Sequence, residues 1–263
     1  MLAHSTILYV HKEKQKEKWT MLKETFFQQL YGLIHKLEHE QGDNIDKAAG
    51  VIADAVASGN CIHVYDTGHM LDSELINRAG GLNGVKALKV QFSVDNAVRK
   101  RPEDKTKDRN LEGLMRYALK MSNLHPGDVL IVGSVSGKTV FPVDLALAAK
   151  EAGAYVIAIT SIAYSSQLKS DHSSGKRLYE VADLVIDNGA PPLDAMVDVP
   201  ELGLSICPAS GISAAAIMWA VEAKVVEILL SRGIRPTVLK SVNYPGSAEH
   251  NEKEYQRYEE TGY

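Results

Sequence analysis

Apolar positions along this chain follow two different rhythms, and the switch between them sketches the fold. Leu22, Phe26, Leu30, Leu33 and Leu37 recur at three- and four-residue spacing, which places them on one helical face. Asp43 stands where an N-cap would open a second helix, with Ile45, Ala49, Ile52 and Val56 facing inward and Gly59-Asn60 as its stop. The pattern predicts a helical hairpin over residues 21–59, able to pack on the remainder of the chain or to act as a dimer arm.

Beyond residue 60 short apolar runs alternate with helical patterns. Cys61–Tyr65, Ala87–Val90, Val129–Val132, Ala154–Ile159 and Leu184–Ile186 are apolar on both sides, as strands covered on both faces by helices are. Helical stretches fall at Leu71–Arg78, Leu111–Met121 and Pro142–Ala152, and a long one over Ala214–Arg232 closes before Gly233. This alternation predicts the α/β class with a parallel, doubly wound sheet. With no internal repeat and no low-complexity linker, residues 21–250 read as a single domain. The polar tail 251–263 reads as loose or docked on a partner subunit.

The amino end differs in character. Ser5–Val10 is apolar but short, without a preceding positive charge or a small-residue cleavage site, so it does not read as a signal peptide. A solvated charge run, His11–Lys18, comes next. Residues 1–20 are therefore expected to form a poorly ordered arm, and Met21 is a candidate start of the functional chain.

Composition removes several functions. The 263 residues carry 29 Lys+Arg against 33 Asp+Glu, a net charge of −4, which speaks against a nucleic-acid footprint. Glu222, Lys224 and Glu227 interrupt the longest apolar candidate, Ala214–Leu230, so no membrane span is expected. Cys61 and Cys207 cannot build a disulfide scaffold and read as reduced thiols of a cytoplasmic protein. The pairs Cys61/His63 and His35/His39 lack the further ligands a zinc site needs, so no metal site is expected.

Two strand-to-helix turns carry the candidate chemistry. Leu130–Val132 runs into Gly133-Ser134-Val135-Ser136-Gly137-Lys138-Thr139, and a helix begins near Pro142. A helix start offers unpaired N–H groups and a positive dipole end to an anion. The hydroxyls of Ser134, Ser136 and Thr139 add donors and Lys138 adds charge, so a phosphate is the natural guest. The plainer alternative is an ordinary connection with Ser as N-cap. A P-loop is a rival reading, because Gly137-Lys138-Thr139 looks like its ending. That motif needs a glycine five residues before the Gly-Lys pair, and Val132 stands there instead. In the turn that comes first along the chain, Thr67, Gly68 and His69 would lie at the carboxyl end of the first strand, beside the third, at a topological switch point. Glu74 lies a helical turn later and either points back toward that crevice or is a solvated helix residue.

The loop Ser134-Val135-Ser136-Gly137-Lys138-Thr139 resembles the Ser-x-Ser-Gly-x-Thr/Ser phosphate loop of the sugar isomerase (SIS) fold family. The likeness extends to a bacterial subfamily of phosphosugar-binding SIS proteins through Arg78-Ala79-Gly80-Gly81-Leu82, His125-Pro126-Gly127-Asp128, Ile157–Ser161, His172–Asp183, Asp187–Pro192 and Glu249-His250-Asn251. The resemblance implies a five-stranded parallel sheet in a three-layer α/β/α sandwich, flavodoxin-like in order. It also implies a homodimer or homotetramer with sites near the subunit interface, and a sugar phosphate as ligand. One departure stands out: the first turn reads Asp66-Thr67-Gly68-His69, which brings a negative charge toward the anion site.

From the same resemblance the expected activity is a metal- and cofactor-free phosphosugar isomerase working through an enediol. Glu74, in a Leu71-Asp72-Ser73-Glu74 segment similar to the one carrying the catalytic Glu of the etherase family, is the candidate base. His250 is the candidate acid/base, since its ring titrates near neutrality. His172 and Ser173 would cover the sugar as part of a lid, Asn188 would bond its hydroxyls, and Ser161 belongs to the same binding set. Two other activities fit the resemblance: an etherase-type lyase on a sugar like N-acetylmuramic acid 6-phosphate, and a non-catalytic phosphosugar sensor.

Overall fold

The computed structural model describes residues 21–263 apart from 69, 96, 98, 100–101 and 103–109; His69 and the arm 1–20 lie outside the described residues. It opens with a single helix, α1 (Leu22–Ala57), of 36 residues where a hairpin was expected. Gly42 costs a helix interior about 1 kcal/mol, too little to break it without a proline. The break is overridden by docking. Gln41 Oε1 accepts the main-chain N–H of Asp187 at 3.1 Å, and Leu33, Leu37, Ile52 and Val56 are buried along the same helix. Asp43 stays exposed on the helix surface and caps nothing.

Five parallel strands come after it: β1 (Ile62–Asp66), β2 (Val85–Ala87), β3 (Val129–Gly133), β4 (Tyr155–Thr160) and β5 (Leu184–Asp187). Their order is β2-β1-β3-β4-β5, the doubly wound arrangement expected. Helices α2 (Asp72–Leu75), α3 (Leu114–Lys120), α4 (Val140–Glu151) and α5 (Ile162–Ser165) connect them. An antiparallel hairpin, β6 (Ala195–Val199) with β7 (Leu204–Pro208), then leads into the long α6 (Ser210–Ser231) and the terminal α7 (Ser247–Thr261).

Strand alternation divides the interior into two cores. Val129, Ile131, Ile157 and Ile159 face α1 and α6, where they meet Ile52, Ile217, Val221 and Val225. Leu130, Val132, Val156 and Ala158 face α3 and α4, against Met115, Leu145 and Ala149. Side chains of successive strand residues point to opposite faces, so a continuous apolar run requires a layer on each side. The result is a three-layer sandwich with the sheet in the middle.

Three boundaries moved for local reasons. The helix expected over Leu71–Arg78 closes at Leu75, because Ile76 is extended and Asn77 takes φ +55°, a left-handed state Asn tolerates. Strand β2 lies two residues earlier than Ala87–Val90, since Val85 is the residue that pairs with Ile62. The polar tail 251–263 is mostly helix, held by polar contacts and by Tyr263, which packs against the core. Glu254 accepts the N–H of Val238 at 3.1 Å, and Asn251 exchanges two hydrogen bonds with Lys240. Among the described residues no helix is long and apolar enough to cross a membrane.

Helix α6 carries one buried carboxyl. Glu222 is 5% exposed; its Oε2 accepts the N–H of Leu82 at 3.0 Å, tying the 80–82 loop to the helix. Its Oε1 has no hydrogen-bond partner among the described residues. Burial pushes Glu222 up to about 7 from an ordinary 4.5.

This packing sets two stability outcomes. Ile131→Ala, at a position 1% exposed, removes a side chain from a core that cannot close around the gap, and chemical denaturation should show a loss of about 2–5 kcal/mol. For Glu222 the folded value lies above the unfolded one, so between 4.5 and about 7 the folded chain binds more protons and stability falls as pH rises. Glu222→Gln should flatten that slope, on the order of 3 kcal/mol across the window, in denaturation curves measured at several pH values.

Candidate functional site

The carboxyl ends of β1 and β3 are neighbours, with Asp66 in register with Gly133. Sheet order reverses between these strands, and the crevice there is where open α/β sheets bind ligands. A cleft of about 970 Å³ occupies it.

The second loop is held in shape by its carbonyls. Val135 C=O accepts the Thr160 hydroxyl and the Ser161 N–H, Gly137 C=O accepts Leu178 N–H at 2.7 Å, and Lys138 C=O accepts Asp171 N–H at 2.9 Å. Gly137 takes φ +55°, and a Cβ there would sit 3.0 Å from Leu178 Cβ and 3.1 Å from Thr160 Oγ1. Gly133 has no room for a side chain either, because Leu71 Cδ1 would lie 2.8 Å from its Cβ. With the carbonyls committed inward, the N–H groups of Val135 through Thr139 find no protein acceptor among the described residues. Thr139 precedes α4 without a side-chain capping bond, so the first turn of that twelve-residue helix adds its own open donors. Ser134, Val135, Ser136 and Thr139 line the cleft, and the Ser136 and Thr139 hydroxyls have no hydrogen-bond partner among the described residues. This is the arrangement that holds an anion at a helix start.

The first loop is built in the opposite sense. Asp66 Oδ2 accepts the N–H groups of Met70 and Leu71, and Oδ1 accepts that of Gly68 at 3.2 Å. An internal carboxylate thus occupies the donors that this turn would otherwise offer to a ligand. Thr67 N–H donates to Gly133 C=O at 3.2 Å and latches the two loops together. Thr67 and Gly68 line the cleft beside Tyr65, Asp72, Lys89, Tyr164, Leu193 and Asp194. Asp194 caps α6: Oδ1 accepts Ser210 N–H at 2.8 Å and Oδ2 accepts the Ser210 hydroxyl at 2.6 Å. Burial, then the charge of Asp66, raises Asp72 above the ordinary carboxylate range, with Lys89 pulling the other way.

The remaining expected residues do not line this cleft. Lys138 turns to Asp171, Nζ to Oδ2 2.7 Å, in place of an anion. Glu74 pairs with Arg78 at 3.4 Å on the outer side of α2. His250 donates from Nε2 to Val238 C=O at 3.0 Å, within the contact between α7 and the 238–240 strip. Ser161 is buried, donating to Ala190 C=O and capping α5 through Tyr164 N–H. Asn188 is buried with Oδ1 on Ala190 N–H. His172 packs its ring against Ser174, and Ser173 N–H donates to Glu112 at 2.6 Å. Sequence reasoning overlooked Asp72, Lys89, Tyr164, Leu193 and Asp194. Asp72 was accessible as the first helical residue after the turn; Leu193 and Asp194 reach the cleft through a left-handed turn, φ +65° and +62°, that their residue types do not announce. Among the described residues no group of three or more His, Cys, Asp or Glu is placed to hold a metal ion.

Comparison with known proteins shows the family of the chain. A UPF0309 protein of Geobacillus kaustophilus is 38% identical over 228 residues, 85% of this chain and 88% of that protein. A UPF0309 protein of Streptomyces griseus is 35% identical over 228 residues, 86% of this chain and 90% of its own. Among solved structures, the sugar isomerase domain of an RpiR transcription factor from Sphaerobacter thermophilus overlays with a TM-score of 0.42 at 17% identity, over 91% of this chain and 99% of that one. The SIS domain family model matches residues 25–161, more than half of the chain. The chain therefore belongs to the SIS domain family and groups there with the UPF0309 proteins.

Proposed function

We propose that this protein binds a sugar phosphate, with the phosphate on the Ser134–Thr139 loop, and isomerises the sugar without a metal. The observation that carries the reading is the run of N–H groups from Val135 to Thr139 left without acceptors among the described residues, in a loop whose Val135, Ser136 and Thr139 line the cleft. Phosphate binding energy at a fixed point positions carbons one and two of the sugar deeper in the cleft, where it can be spent on orientation. Lys89 and the phenols of Tyr65 and Tyr164 line the same space and suit a polar, hydroxylated guest. Glu74 and His250 keep the acid–base roles that the resemblance gives them only as assignments to be tested, since neither lines the cleft. The protein is proposed to work in the cytoplasm as a homodimer or homotetramer. Phe27 and Tyr31, exposed on the projecting first turns of α1, are the surface such an assembly would cover.

The mutational outcome is direct. A thermal-shift screen with inorganic phosphate and with hexose, heptose and amino-sugar phosphates should raise the melting temperature of the wild type. Ser136→Ala with Thr139→Ala should abolish that shift while leaving the unliganded melting temperature within a few degrees. An unchanged shift in the double variant would place the anion elsewhere.

Reaction type separates by product. Isomerisation washes deuterium from heavy water into carbon two of the sugar phosphate. An etherase-type lyase would release D-lactate instead, and a sensor would show binding with neither outcome.

A further inference from the structure

Three carboxylates line the cleft, and two of them are already spent. Asp66 places both oxygens on main-chain N–H groups of its own turn. Asp194 places both on the start of α6. Of the three, only the Asp72 carboxylate accepts no hydrogen bond among the described residues, and its Oδ1 is buried without a partner. A structural carboxylate is normally surrounded by donors, because leaving it bare costs several kcal/mol unless it can take up a proton. The charges that face it are Asp66 at the end of β1, which favours its protonated form, and Lys89 just past β2, which favours its anion. Tyr65, also on the cleft wall, is held above its ordinary range by burial and by Asp66, so it stays neutral beside them.

We propose that Asp72 is the residue that moves the proton on a phosphosugar held in this cleft. The proposal rests on the sugar-phosphate reading and gives the proton transfer to a residue of the cleft in place of Glu74, which does not line it. As a carboxylate, Asp72 takes the hydrogen from the carbon next to the carbonyl. That C–H bond breaks, its electron pair forms the C1=C2 bond, and the carbonyl pair moves onto oxygen to give an enediolate. The hydroxyl proton passes from O2 to O1, and Asp72 returns its proton to carbon one, so atoms and charge balance and the carboxylate is regenerated. Its environment suits both halves of the cycle. Burial and Asp66 strengthen Asp72 as a base, and Lys89, pulling the other way, favours its anion.

Two measurements on the full chain test this. Bound phosphate adds negative charge to the cleft, so the wild type should take up protons when inorganic phosphate binds at about pH 5, seen by calorimetry in buffers of different ionisation enthalpy. Asp72→Asn should bind phosphate at least as tightly, without that uptake, and should slow deuterium exchange into the hexose, heptose and amino-sugar phosphates by about a hundredfold or more. Exchange retained within a few-fold in Asp72→Asn, or phosphate binding with the same proton uptake as the wild type, would overturn the role of Asp72. If Asp72→Asn does not fold, wild-type uptake still decides, and its absence overturns the proposal. Failure of the wild type to bind phosphate at all would instead overturn the reading of the cleft, and the proposal with it.

Discussion

Three carbonyls of the 134–139 loop, those of Val135, Gly137 and Lys138, are turned into the protein, and the shape of the loop depends on that commitment. Val135, Gly137 and Lys138 give their oxygens to Thr160, Ser161, Leu178 and Asp171, and the N–H groups from Val135 to Thr139 are left without an acceptor among the described residues. Glycine at 137 is what permits it, since any side chain would collide with Leu178 and Thr160 in a backbone state that side chains rarely adopt. Donors exposed in this way are hydrated when the cleft is empty, and an anion replaces several waters at once in a fixed geometry. The sheet supplies the rigidity: Gly133 and Thr160 end adjacent strands whose apolar residues are buried on both faces.

Asp66 explains why one loop and not both serves the ligand. Its carboxylate satisfies the first turn from within, which removes a competing anion site and fixes a negative charge at the cleft wall. In the proposed reading this draws a phosphate toward α4 and away from α2, with its sugar between the two loops. The same fixed charge adds to burial in raising Asp72 above the ordinary carboxylate range. The division of labour arises from a departure in the first turn that reads, by composition alone, as unfavourable for an anion.

Much of this was legible in the residues, and what was not has physical causes. Parallel strands could be read because runs such as Val129–Val132 are apolar without alternation, which only a doubly covered sheet explains. The Ser134–Thr139 loop was legible because Ser, Gly and Thr come directly after such a strand. Asp43 reads as the N-cap of a second helix, because the Gln41 contact that carries the first helix past it reaches Asp187, 146 residues away. Helix α7 escaped notice because its buried face is made of Asn251 and Glu254, whose partners at 238–240 are visible only in three dimensions. Asp194 was hidden for the same reason: its role lies in the N–H groups of Ala209 and Ser210, across the β6–β7 hairpin.

The most direct measurement of the central claim is a titration of isotopically labelled protein with inorganic phosphate, followed through the backbone amide resonances. The account predicts that amides from Val135 to Thr139, together with the first turn of α4, shift progressively and saturate together, while those of Gly68 and Leu71, already bonded to Asp66, move little. Saturable shifts confined to other parts of the surface, with the 135–139 amides unmoved, would contradict it.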